Sequence, residues 1–188
     1  MKIILASQST FRKKALDILG LDYVVIPSYF DEKSIRNDDP LLLASLLSEA
    51  KARKVGEKET NAIIISSDAF IVYRHSIFEK PNNKQEAAAM LSSLSGQTFE
   101  LITGLAVYDS GADKMQTAVE SLNIEFRPLE EYEINDYVDR YPVTKLAGGF
   151  EVEGIARFSH RIEGNCNLLT ALPLNRLVLC LRELGLKI

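Results

Sequence analysis

Ile3-Ile4-Leu5-Ala6 is an unbroken apolar run, and Ala62-Ile63-Ile64-Ile65 is a second of the same kind. A strand apolar at every position has no face to offer water. It must be covered on both sides, as strands are in sheets flanked by helices. Helical spacing appears beside these runs. After Ser7-Gln8-Ser9-Thr10, whose short polar side chains favour turns and helix N-caps, Phe11, Ala15, Ile18 and Leu19 share one face up to a stop at Gly20. Tyr23–Ile26 reads as the next strand, closed by Pro27. Asp39-Pro40 is a strong helix start, with Asp39 as N-cap and Pro40 at the first position, and the helix continues over 41–54.

Farther on, Ala62–Ser66 reads as a strand, with Phe70–Tyr73 continuing it beyond Asp68. Glu86–Leu94 reads as a helix that follows the Pro81-Asn82-Asn83 turn and stops at Gly96. Phe99–Ile102 and Leu105–Tyr108 read as strands, followed by a Ser110-Gly111 turn and a strand over Ser121–Phe126. Leu129–Val138 reads as a helix, Ala156–Arg161 as a strand, and Pro173–Leu184 as a closing helix stopped by Gly185. Such βα units, followed by a strand-rich middle, predict an α/β fold with a mixed twisted sheet flanked by helices. At 188 residues the chain suits one domain, 1–188, or two small lobes around a cleft.

Composition removes several classes. The formal net charge is −4, and the acid excess lies in the later half: residues 1–100 carry 13 basic and 13 acidic side chains, residues 101–188 carry 9 and 13. A nucleic-acid polymer binder needs a basic stripe, so none is expected, and anion binding belongs to the first half. Cys166 and Cys180 are the only cysteines, which excludes a disulfide scaffold and a zinc ribbon. No window approaches the ~18 apolar residues of a membrane span, and the first residues are too short an apolar run for a signal peptide. A cytoplasmic protein with no membrane partner is the expectation.

Four features carry potential chemistry. Ser7-x-Ser9-x-x-Arg12-Lys13-Lys14 places two hydroxyls and several cations at a strand-to-helix turn. Cations at a helix N-terminus oppose the dipole, and a bound polyanion would reverse that cost. Asp68 follows a buried run, at what reads as the carboxyl end of a strand, where open α/β sheets place ligands; by itself it also reads as a turn residue. Glu32, in Phe30-Asp31-Glu32, could join Asp68 in holding Mg²⁺ or Mn²⁺, which take oxygen ligands. Lys80-Pro81 sets a lone cation beside a stiff turn. There is no GxxxxGK[ST], GxGxxG or GxSxG segment, so the serines read as ligand hydroxyls rather than nucleophiles.

Taken in order, these residues resemble the Maf family of nucleoside triphosphate pyrophosphatases. Leu5-Ala6-Ser7-Gln8-Ser9-Thr10-Phe11-Arg12-Lys13 is similar to its LASxSPRR opening. Asp31-Glu32, Ser67-Asp68, Lys80-Pro81, Leu94-Ser95-Gly96, Thr103-Gly104, Tyr137-Val138, Ala147-Gly148 and Leu172-Pro173-Leu174 continue the match along nearly the whole chain. The resemblance implies hydrolysis of a nucleoside triphosphate to the monophosphate and pyrophosphate with a divalent metal. It also implies two lobes around a central cleft, similar to inosine triphosphate pyrophosphatases, and a homodimer by family habit. By position, Asp68 looks like the catalytic carboxylate and Glu32 its acidic partner, both at the metal. Arg12 and Lys80 match phosphate-binding cations, with Lys13 beside Arg12, and Ser7 and Ser9 match loop hydroxyls.

Within the family, Phe11 before Arg12-Lys13, Ser67 before Asp68, and Glu153 resemble the branch acting on 7-methyl-GTP. So do Gln116-Thr117-Ala118-Val119-Glu120 and Phe126-Arg127-Pro128-Leu129. The 7-methylguanine ring is cationic, so the Phe11 face and the Glu153 carboxylate would both favour it; Phe11 reads equally as core packing. Thr10, Ala69 and Glu79 depart from the family's usual Pro, Thr and Gly. The alternatives are a dTTP/UTP or broad-specificity pyrophosphatase and, from another class, a non-catalytic nucleotide-binding regulatory module. Retention of Glu32, Asp68 and Lys80 weighs against the last.

Overall fold

Strand β1 (Lys2–Leu5) runs parallel to β2 (Val24–Val25) and to β3 (Ala62–Tyr73), with Ile4 opposite Val24 on one side and Ile64 on the other. This is from a computed structural model that describes residues 1–188. The apolar runs are covered on both faces as their composition requires. Ile3, Leu5, Ile63 and Ile65 pack with α1 (Thr10–Asp17) and α6 (Leu174–Glu183), while Ile4 and Ile64 pack with Ala52 and Val55 of α2 (Pro40–Gly56). Asp39 caps α2 by accepting from the amides of Leu41 and Leu42.

The remaining elements are β4 (Ser76–Phe78), α3 (Lys84–Leu94), β5 (Thr98–Asp109), β6 (Lys114–Phe126), α4 (Glu131–Arg140), α5 (Val152–Phe158) and β7 (Ser159–Glu163). The strand order is β2-β1-β3-β5-β6-β7, with β4 also paired to β3. β3–β4 and β6–β7 are antiparallel, so the sheet is mixed as expected. The chain divides into two compact units: residues 1–68, 103–120 and 170–188, and residues 69–102 and 121–169. No helix is long and apolar enough to cross a membrane.

The second unit has an aromatic core. Phe99 meets Phe126 edge-on at 4.7 Å between ring centroids, and Tyr137 meets Phe158 at 5.1 Å. Here one expectation is half met: of Ala156–Arg161, only Ser159–Arg161 is strand. Ile155 and Phe158 are buried three residues apart, which is a helical spacing, so Val152–Phe158 is helix α5 and the strand starts only at Ser159. Gly154 permits this, because a Cβ there would lie 2.8 Å from the Tyr137 hydroxyl.

A second correction concerns Asp68, which lies inside β3 and not at its end. Ser66, Ser67 and Asp68 look like a strand terminus, but each finds a partner, and the strand runs on to Tyr73. β5 is likewise continuous through Thr103-Gly104.

At the start of α4, Arg127 grips Glu133 through two bonds of 2.8 and 2.6 Å, and Glu133 also accepts from the Glu130 amide. The Arg127 bonds, followed by the Glu130 amide, hold the Glu133 carboxyl down at about 2, from 4.5. A depressed carboxyl adds stability that is present above the unfolded value and lost as pH falls through the folded one. The stability gap between wild type and Glu133→Gln should therefore be full above pH 4.5 and shrink towards pH 2. Urea unfolding at stepped pH checks it, and a pH-independent gap would contradict the assignment.

Candidate functional site

Two groups of residues in the first unit have the chemistry of a site. At the carboxyl end of β1 the chain turns into α1 through Ser7 and Ser9. Ser9 caps the helix, accepting from the Arg12 amide at 3.4 Å, and buried Ser7 accepts from the Ser9 amide at 3.2 Å. The Arg12 guanidinium folds back on this turn: Nη1 donates to Ser7 Oγ at 3.2 Å and Nε to the carbonyl of Ala171 at 3.0 Å. The first turn of α1 contains no acidic residue. Helix amides, two hydroxyls and a guanidinium thus gather at one point, a combination suited to phosphate oxygens.

Lys13 is half-buried, with its carbonyl accepting from the Tyr23 hydroxyl at 3.2 Å. Phe11 is also half-buried, and the Lys14 ammonium lies 5.7 Å from its ring centroid.

The second group joins α2, β3 and the short turn Glu32–Ser34, which Asp31 caps by accepting from the Lys33 amide. Lys51 Nζ lies 2.6 Å from Asp68 Oδ1 and 2.7 Å from Glu32 Oε1. Glu32 and Asp68 thus meet at one buried lysine, a residue outside the motifs named above. A signal for it exists: Leu43, Leu47, Lys51 and Val55 stand four apart on the buried face of α2, where a lysine is out of place unless paired. Ser48, on the same helix, fixes the strand. Its hydroxyl accepts from the Asp68 amide at 3.0 Å, and its carbonyl accepts from Ser66 Oγ at 2.6 Å. Gly104 keeps β5 close to α2, since a Cβ there would sit 2.2 Å from the Ala44 carbonyl oxygen.

This arrangement suits a metal only in part. The structure contains no group of three His, Cys, Asp or Glu side chains able to hold an ion alone. Glu32 and Asp68 are nevertheless hard oxygen donors, and two carboxylates against one ammonium leave a net negative charge. Mg²⁺ and Mn²⁺ are commonly held by one or two carboxylates, with waters and substrate phosphates completing the shell. The donor set fits an ion of that kind.

Lys80 and Glu153 belong to the second unit. Lys80 is exposed beside buried Pro81, and the preceding carbonyl, of Glu79, accepts from the Gly148 amide at 3.1 Å. Glu153 is exposed in the first turn of α5. The loop before that helix is tied by a 3.5 Å bond from the Glu151 amide to the Tyr137 hydroxyl. Burial, with a smaller push from Glu153, moves that hydroxyl up to about 12, so Tyr137 stays a neutral phenol.

The profile of the Maf-like protein family matches residues 2–184. A 7-methyl-GTP pyrophosphatase of Idiomarina loihiensis is 39% identical over 190 aligned residues, covering 99% of this chain and 96% of that one. A dTTP/UTP pyrophosphatase of Geobacillus sp. is 34% identical over 185, covering 98% of each. Among solved structures, a HAM1 protein from Coxiella burnetii aligns with a TM-score of 0.46 at 15% identity, covering 67% of this chain and 73% of that one.

Proposed function

We propose that this chain, which belongs to the Maf family, is a divalent-metal-dependent nucleoside triphosphate pyrophosphatase that prefers 7-methyl-GTP or a similarly modified nucleotide. The observation that carries the reaction class is the Glu32–Lys51–Asp68 cluster, in the same unit as the Ser7–Ser9–Arg12 cradle. A polyphosphate needs its negative charge neutralised before water can approach phosphorus. The cradle supplies a cation and donors for that, and the family resemblance alone assigns Lys80 a phosphate-binding role. Asp68 accepts the proton of the attacking water, and Lys51 and the Ser48 hydroxyl hold its side chain and main chain in place. Glu32 and Asp68 would hold the metal, which supplies Lewis-acid polarisation of the phosphoryl oxygens when bound. Pyrophosphate leaves after in-line attack at the α-phosphorus. A homodimer in the cytoplasm is part of the same reading.

Substrate preference is assigned to Glu153 by the family resemblance in this proposal, since a cationic purine is drawn to a carboxylate. The Geobacillus relative supports the second reading, a dTTP/UTP pyrophosphatase. Pyrophosphate release from a panel of 7-methyl-GTP, GTP, UTP and dTTP, with Mg²⁺ and with Mn²⁺, decides between them. Wild type should favour 7-methyl-GTP. Glu153→Gln should lower the ratio of kcat/KM for 7-methyl-GTP to that for UTP by about ten-fold, the order expected for one charged contact. An unchanged ratio removes Glu153 from recognition, and a wild-type preference for UTP or dTTP establishes the second reading. No release from any triphosphate leaves the binding module.

A further inference from the structure

Side chains alternate along β3, so Ser67 points away from the face on which Ser66 and Asp68 meet α2. Its hydroxyl lies 2.7 Å from the Gly104 carbonyl and 2.7 Å from that of Ala171. Ser67 is 2% exposed, too buried to touch a substrate. Ala171 holds φ at 54°, a left-handed conformation that a residue with a Cβ keeps only when its surroundings impose it. The next residue, Leu172, is fully buried in the core shared with α1 and α6. The same Ala171 carbonyl accepts from Arg12 Nε at 3.0 Å, while Arg12 Nη1 is bonded to Ser7. A guanidinium is a rigid plane, so acceptors at two of its nitrogens fix both its position and its tilt.

We propose that Ser67 and the Ala171 carbonyl form a clamp that pre-orients Arg12 for polyphosphate. Ser67 is then a positioning residue that acts on the ligand only through Arg12. The clamp deepens the reading given above and rests on its use of Arg12 as an anion-binding cation. Its physical content is preorganisation: a guanidinium already held loses less rotamer freedom when the anion arrives. A carbonyl has two lone pairs, so that of Ala171 takes the arginine donor together with the Ser67 hydroxyl, whose single proton it shares with the Gly104 carbonyl. Without the serine, the left-handed peptide is held less tightly and the arginine with it.

The test is a double-mutant cycle on Ser67→Ala and Arg12→Ala. It is read by calorimetric binding of inorganic tripolyphosphate with Mg²⁺ and, separately, by KM and kcat for pyrophosphate release. Ser67→Ala should weaken tripolyphosphate binding about ten-fold and raise KM alike, with kcat within about two-fold of wild type. In the Arg12→Ala background the same change should have no further effect on binding or KM. Ala171→Gly, which admits the left-handed φ freely but does not enforce it, should shift binding in the same direction and also lose its effect without Arg12. That variant decides the matter if Ser67→Ala does not fold. Equal steps in both backgrounds, no change in either variant, or no tripolyphosphate binding by wild type would each overturn the clamp. Coupled binding without hydrolysis of any triphosphate leaves the clamp standing and removes the pyrophosphatase reading. Hydrolysis without coupling does the reverse.

Discussion

Asp68→Asn is expected to lower kcat for pyrophosphate release by about 10²–10⁴-fold, the usual contribution of a positioned general base. The substitution isolates the charge. An asparagine has nearly the same volume, and its amide oxygen can still accept from Lys51, 2.6 Å from Asp68 Oδ1 in the wild type. The Asp68 bond to Ser48 uses the main-chain amide, so the junction of β3 and α2 survives the change. Lys51 also keeps its contact with Glu32. The variant should therefore fold, with the loss appearing in kcat and not in the far-ultraviolet spectrum. Tripolyphosphate binding should change far less, because Ser7, Ser9 and Arg12 are untouched. A rate within ten-fold of wild type for a folded Asp68→Asn would remove Asp68 as the base. The search for the proton acceptor would then move to Glu32, the other carboxylate on Lys51.

Much of the frame was legible because local chemistry and burial agree. Asp39-Pro40 announces α2, Gly96 and Gly185 mark helix ends with left-handed φ of 66° and 88°, and the two apolar runs demand helices on both faces. The misreadings share one cause. Polar residues normally end strands, but Ser66, Ser67 and Asp68 obtain partners from Ser48, Gly104, Ala171 and Lys51, which are between 17 and 104 positions away. No local window contains those partners. Ala156–Phe158 reads as strand for a related reason: what makes Val152–Phe158 helical is the packing of Ile155 and Phe158, and the closeness of Gly154 to Tyr137. Ala171 was invisible altogether, since alanine carries no turn signal and its left-handed φ comes from its surroundings. The site followed the same rule. Ser7, Ser9 and Arg12 lie within six positions and read as one turn, whereas Glu32 and Asp68 are 36 positions apart and read only as a possible pair of oxygen ligands until the family resemblance is added, and Lys51 escapes both.

Lys51→Met should be the most destabilising change at the site, by about 3 kcal/mol, because removing one partner leaves buried charge uncompensated. Methionine extends the apolar stripe of α2 formed by Leu43, Leu47 and Val55, so it adds no polar group and little strain. What remains is Asp68, with a side chain only 12% exposed, and Glu32, 44% exposed, with no cation between them. The exposure of Glu32 lets water screen its share, which keeps the figure at the lower end for a buried pair. The cost should then depend on the Asp68 charge. In an Asp68→Asn background, Lys51→Met should cost about half as much, and the double variant should be more stable than Lys51→Met alone. Urea midpoints for the four proteins measure this coupling. An equal loss in both backgrounds would mean that Lys51 serves α2 by packing alone. Coupled losses would mean that the ammonium is what offsets the cost of a carboxylate inside β3. Asp68 must be such a carboxylate to take a proton from water.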